Sequence, residues 1–274
     1  MSAKSDIIQR LEREILPLQG FKPPKGGAAT DFGLGPIDAA FPNGHFPTGA
    51  VHELVSSTAE GAAASVGFMG GLLGTLMRGG GAALWIGHGK KLFPMALKRF
   101  GIEPDRVIFV ELSRPKDMLW VMEEALKCEG LAAVVGEIPE IGFTASRRLQ
   151  LAVEQSRVTG FLLRHQARSL GVNACVARWR VGALASETAA GLPGVGFPRW
   201  KVELQKIRNG RPGVWSMEWA AGRFRAVPAL MSGALPGSAA GALAMSGAIA
   251  EPKLGATTLS IGREELSEQK RKAG

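Results

Sequence analysis

The chain has 274 residues, 46% of them hydrophobic, and a formal net charge of +9. That length and composition suit one globular domain with appendages and exclude a disordered chain, while the positive balance favours a polyanionic partner, nucleic acid foremost. Two cysteines, Cys128 and Cys175, exclude a disulfide framework and point to a reduced, cytoplasmic setting, and the apolar run from Ala62 to Met77 is too short and glycine-rich to span a bilayer.

In chain order, the first predicted element is a helix over 1–18. Ser5 or Asp6 caps it, and Ile7, Ile8, Leu11, Ile15 and Leu16 share one face. Pro and Gly make 19–30 a linker. Within the core, 31–227, strands and helices then alternate. Strands are predicted over 49–55, 81–87, 105–112, 131–138 and 161–164, with helices over 61–78, 93–101, 114–129 and 144–160 between them. Short apolar strands alternating with amphipathic helices predict an α/β fold, a mostly parallel central sheet covered by helices. Segments 174–184, 199–210 and 213–227 read as further strands, antiparallel, at one end of the sheet. From 228 to 274 the chain turns to Ala, Gly and Ser with a charged end, the composition of a flexible tail with one short helix.

The stretch "VSSTAEGAAAS" (55–65) lies between the first core strand and the first core helix, where a nucleotide-binding protein keeps its phosphate loop. Such a loop needs G-x-x-x-x-G-K-[ST]: glycines so that backbone N–H groups wrap the phosphates, a lysine for the outer phosphates, a hydroxyl for Mg²⁺. Ser56 stands at the first glycine and Gly61 at the second, with Glu60 before it. Ala62 and Ala63 replace the lysine and the hydroxyl. These five residues form a degenerate phosphate loop. A helix N-terminus still attracts anions, but no catalytic residue and no cofactor is expected. The four histidines, His45, His52, His88 and His165, are scattered and make no metal constellation. His52 and Glu53 are adjacent on a strand and therefore face opposite sides.

The segment "GLGPIDAAFPNGHFPTGAVHELVSSTAEG" resembles the start of a RecA-type core, with Pro47, Gly49 and Glu53 in register. Against that pattern, Gly87 and Gly89 stand where an acidic strand end and the catalytic glutamate belong. Gly136 takes the place of the second acidic residue, with Glu137 beside it, and Arg164 replaces a phosphate-sensing glutamine. "VELQKIRNGRPG" is similar to the strand that, in the family, reaches a neighbour's phosphates with two basic residues. Lys206 and Arg208 occupy those positions. At i and i+2 they share a face of the strand and can reach one anionic target; the alternative, an edge strand protected by charge, fits the long matched context less well.

Together with "ARWRV" and "RWKVELQKIRNGRPGVWSMEW", this pattern over roughly 30–225 resembles the ImuA family. The resemblance implies a RecA-like accessory protein of damage-induced mutagenesis and translesion synthesis. It would work with ImuB, an inactive Y-family polymerase relative, with an error-prone replicative-type polymerase, and with DNA or RecA. By the same analogy, single-stranded DNA would meet Arg147 and Arg148 on one loop and Arg164 and Arg168 at another. Cations of this kind give salt-sensitive backbone binding. Trp179, Trp200 and Trp215 offer stacking surfaces, but on strands tryptophan is more often core. Two other readings stay open at this stage: a divergent DNA-dependent ATPase, and a cell-division inhibitor of the SulA type. A homo-oligomer fits any of the three.

Overall fold

The computed structural model describes residues 30–89, 92–167, 170–188 and 194–228. The expected N-terminal helix (1–18), linker (19–30) and tail (228–274) lie outside these residues, apart from Thr30 and Pro228 at their edges. The chain divides into two units, Met1–Met231 and Ser232–Gly274, and all that follows concerns the first.

Nine strands form one sheet in the order β3-β2-β4-β5-β1-β6-β7-β8-β9. They are β1 (Val51–Ser56), β2 (Ala82–Gly87), β3 (Val107–Glu111), β4 (Leu131–Glu137), β5 (Thr159–His165), β6 (Ala177–Leu184), β7 (Arg199–Ile207), β8 (Gly213–Ala220) and β9 (Arg223–Val227). From β3 to β6 every neighbouring pair is parallel; from β6 to β9 every pair is antiparallel. This is the expected α/β architecture, with its antiparallel end. Three α-helices occur among the described residues: α1 (Ala59–Met77), α2 (Pro115–Leu126) and α3 (Phe143–Ser156).

Helices cover both faces, so the inner parallel strands β1, β2, β4 and β5 are largely buried and read as near-continuous apolar runs, while the edge strand β3 leaves Ile108 and Phe109 exposed. On one face, Phe68, Met69 and Leu72 of α1 pack on Leu54, Leu163 and Trp179. On the other, Met122 and Leu126 of α2 and Leu149 and Val153 of α3 pack on Val51, Val134 and Leu162. The glycines of α1 let it lie close to aromatic rings. A Cβ at Gly71 would stand 2.5 Å from the Phe224 ring and 2.8 Å from Trp219. The run that composition marked as glycine-rich is thus a buried helix. Trp179 and Trp200 are buried in the core, and Trp215 is partly buried against the same cluster.

Two elements differ from the sequence reading. The single strand expected over 213–227 is a hairpin, because Ala221 and Gly222 both take positive φ (51° and 72°) and reverse the chain. The helix expected over 93–101 is a 3-10 helix, Pro94–Phe100, stopped by Gly101 at φ 75°.

Candidate functional site

The loop after β1 is very short. β1 runs to Ser56 and α1 begins at Ala59, so only Ser57 and Thr58 connect them. A phosphate loop needs a longer run of unpaired amides to encircle its ligand. Here the helix caps itself instead: the Thr58 Oγ1 accepts from the Gly61 amide at 3.0 Å, and the Ala62 amide donates to the Thr58 carbonyl at 3.0 Å. Glu60 in the first turn adds a carboxylate at the positive end of the helix dipole, where an anion would otherwise sit. Ser56 is engaged too, its Oγ 3.0 Å from His165 Nδ1 and its carbonyl accepting from the Gln166 amide at 2.8 Å. A Cβ on Gly61 would lie close to the capping oxygen, 3.2 Å from Thr58 Oγ1, and at ordinary contact distance, 3.6 Å, from the Val181 carbonyl oxygen. Ala62 and Ala63 fall inside α1. The cavity of about 370 Å³ beside the loop is lined by Ser57, Thr58, Glu60, Arg180, Lys201 and Glu203. Its mixed charges offer no net attraction for a triphosphate.

Of the glycines at the expected acidic places, Gly136 and Gly87 lie against neighbouring side chains, whereas Gly89, at φ 76°, has open space around it. A Cβ on Gly136 would stand 2.7 Å from Met122 Sδ on α2, so a side chain there would have to displace the Met122 thioether. At Gly87 the space is taken by the Glu137 carboxyl, 3.2 Å from where a Cβ would be.

The strongest electrostatic feature is one that motif reading passed over. Glu53, in the middle of β1, is fully buried between two arginines. Arg164 Nη1 donates to Glu53 Oε1 at 2.5 Å, and Arg178 Nε donates to Glu53 Oε2 at 2.6 Å. β1 lies between β5 and β6, with Glu53 paired to Leu162 and to Arg178. Arg164 is two residues beyond Leu162 and so shares its face. Burial alone would raise the Glu53 carboxyl; the hydrogen bonds from Arg164 and Arg178 outweigh it and hold the group below the ordinary carboxylate range.

Both arginines carry the anchorage outward. Arg164 Nε donates to the Pro139 carbonyl (2.9 Å), and its Nη2 reaches Glu140 Oε2 (3.3 Å). Arg178 donates to the carbonyls of Leu170 (3.2 Å) and Gly171 (2.8 Å). The segments after β4 and after β5, which family analogy makes DNA loops, are therefore tied to one buried carboxylate. Arg178 was legible only as part of "ARWRV"; its role depends on the β1–β6 register, which no local pattern encodes.

The proposed DNA-contacting residues scatter. Arg164 is 1% exposed and turned into the core, so in this structure it has no surface to offer a phosphate. Arg147 and Arg148 are exposed on α3, paired with Glu154 at 3.8 Å and Glu123 at 2.6 Å. Arg168 lies outside the described residues. Lys206 and Arg208 do share a strand end, and both face their own chain. Lys206 Nζ donates to the Asn173 carbonyl at 2.8 Å and Arg208 Nη2 to the Ala174 carbonyl at 2.9 Å. Burial lowers the Lys206 ammonium below its ordinary value. Arg208 is level with Val51, through Val176, at the opposite end of β1 from the degenerate loop. Cys175 is buried, and its thiol is pushed up to about 12, which leaves it unreactive. No helix among the described residues is long and apolar enough to cross a membrane, and among them no group of three His, Cys, Asp or Glu gathers to hold a metal.

No family model matches the chain. The chain is 35% identical over 199 residues to Protein ImuA of Caulobacter vibrioides strain NA1000 / CB15N, covering 68% of this chain and 82% of that protein. Protein ImuA of C. vibrioides strain ATCC 19089 / CIP 103742 / CB 15 matches with the same figures. Among solved structures, SulA from Pseudomonas aeruginosa is similar to 42% of this chain and 97% of its own, at 18% identity and a TM-score of 0.37.

Proposed function

The chain belongs to the ImuA family, and from that premise we propose that it is a non-catalytic accessory subunit of an error-prone translesion synthesis complex. In this reading it takes part in damage-induced mutagenesis and bridges an ImuB-type polymerase relative to DNA or to RecA. The observation that supports the absence of ATP chemistry is the self-capped turn after β1: two connecting residues, an amide already held by Thr58, and a carboxylate at Glu60. The Glu53 network supports the accessory role. In a nucleotide-driven protein, loop position follows the bound phosphate; here Arg164 and Arg178 hold both loops to a carboxylate of the chain itself.

Lys206 and Arg208 are proposed as an interface toward a neighbouring subunit, RecA being the first candidate, and Arg147 and Arg148 as contacts to single-stranded DNA. Co-purification with an ImuB-type partner tests the assembly, and calorimetry with ATP and Mg²⁺ tests the inert loop. Retention of the partner with no ATP binding is the expected result. Hydrolysis of ATP that is abolished by Gly61→Pro would overturn it. In a RecA filament assay, the Lys206→Ala/Arg208→Ala variant should bind RecA–ATP more weakly; unchanged binding removes the interface.

A further inference from the structure

Toward the β3 edge of the sheet, the C-terminal ends of β4, β2 and β3 border a second cavity, about 650 Å³ in volume. This size is ordinary for a ligand pocket. Its floor is built by register. Gly87 of β2 pairs with Glu111 of β3, and the Glu137 carboxyl of β4 leans over Gly87 from the other side. With no side chain at Gly87, the Glu137 carboxyl lies over the β2 backbone, on the same face of the cavity floor as Glu111. The walls are aromatic: Trp85, Phe93 and Phe109.

Glu137 is only 9% exposed. Its Oε1 accepts from the Trp85 indole N–H at 2.9 Å. Its Oε2 is buried and has no hydrogen-bond partner among the described residues. A buried acceptor left unmatched is costly, and a carboxylate oxygen more so than a neutral one. The ligand that removes this cost is a cation with several N–H donors, and the surrounding rings favour one that also presents a face or a methylene stem. Acidic groups at this hole oppose the sign of a chain whose net charge is +9, so the complementarity is toward a basic group and away from nucleic acid. The rim points to a polypeptide as the carrier. Phe93 is 70% exposed and Phe109 43% exposed, apolar surface of the kind that lies inside protein–protein interfaces.

We propose that this cavity receives a lysine or arginine side chain from a partner polypeptide, with Glu137 and Glu111 as its anionic contacts and Trp85, Phe93 and Phe109 packed around its stem. The site is separate from the loop after β1 and does not depend on the accessory role proposed above.

The test follows the Trp85 indole signal in ¹H–¹⁵N spectra of the full chain, assigned by its loss in Trp85→Phe. The probes are short alanine–serine peptides with a single central arginine, lysine or norleucine. The arginine and lysine peptides should move the signal saturably and the norleucine peptide should not. Glu137→Gln, which keeps an acceptor for Trp85, should weaken binding about thirtyfold, the lower end for losing one member of a buried charge pair. Glu111→Gln, at an exposed position, should weaken it several-fold, which covers the case of a Glu137 variant that fails to fold. Equal binding by norleucine, no change in either variant, or no shift with any peptide would overturn the proposal. So would a shift produced by spermidine or Mg²⁺ in place of the peptides. A signal that moves in Lys90→Ala/Lys91→Ala without peptide would assign the cavity to the chain's own lysines and overturn it as well.

Discussion

His52 and Glu53 are consecutive on β1 and neither exposes any surface, yet the two faces of the sheet hold them in opposite electrical states. His52 points toward α1. It stacks on Phe46, with ring centroids 4.3 Å apart and planes 12° from parallel. Its Nε2 donates to the Pro47 carbonyl at 2.7 Å, and its Nδ1 accepts from the Trp179 indole at 3.3 Å. One donor and one acceptor are what a neutral imidazole offers, and burial lowers the ring to about 4. Glu53, one residue on, points to the other face and stays charged because two guanidiniums enclose it. The lesson is that burial does not set ionisation by itself. The groups facing the side chain do, and along a strand they change completely from one residue to the next.

The largest expected effect breaks the charged side of this comparison. Glu53→Ala leaves Arg164 and Arg178 without their shared carboxylate, and removing one partner from a buried ion pair costs about 3–5 kcal/mol. Urea denaturation should show that loss, and hydrogen exchange should show faster amides around Pro139–Glu140 and Leu170–Gly171. A loss below about 1 kcal/mol would mean that the network contributes no more than a surface pair.

The neutral side is sharpened by acid. Unfolded His52 takes its proton near the ordinary value of 6.5, whereas the folded ring resists down to about 4. Between those limits the unfolded state binds more protons, so stability falls as pH is lowered across the window, by about 3 kcal/mol in all. His52→Phe should remove the slope between those limits. Glu53 acts in a lower window: its contribution is present above the ordinary carboxylate value of 4.5 and is lost as pH falls through its depressed folded value. The two neighbours should therefore separate in a pH series of melts, histidine first.

Smaller effects come from the packing on the His52 face. Gly71→Ala gains about 1 kcal/mol of helix propensity. It also forces a methyl against Phe224 and Trp219, an overpacking of about 1–3 kcal/mol. Net destabilisation in a thermal melt is the expected sign; net stabilisation would show slack on that face. Smallest is Thr58→Ala. It removes the helix cap at Gly61 and should cost about 1 kcal/mol. A larger loss would give the turn after β1 a structural weight comparable to the buried network.

By itself the sequence determined the fold class, the alternation of strands and helices, and the antiparallel end, because apolar periodicity and turn residues act locally. It also determined that the loop after β1 lacks the lysine and hydroxyl of ATP chemistry. Where an interior turn needs unusual backbone, as at Ala221, local pattern failed, since alanine carries no mark of positive φ. What only the tertiary structure decided is which charges meet. Glu53 and Arg178 are far apart in the chain and face each other through the β1–β6 register. Glu137 and Glu111 bracket Gly87 because β2 lies between β4 and β3. Arg164, placed on a DNA loop by analogy, turns inward for the same reason. Strand order and register are set by packing across the whole sheet, and a buried charge goes to the partner that packing brings within reach.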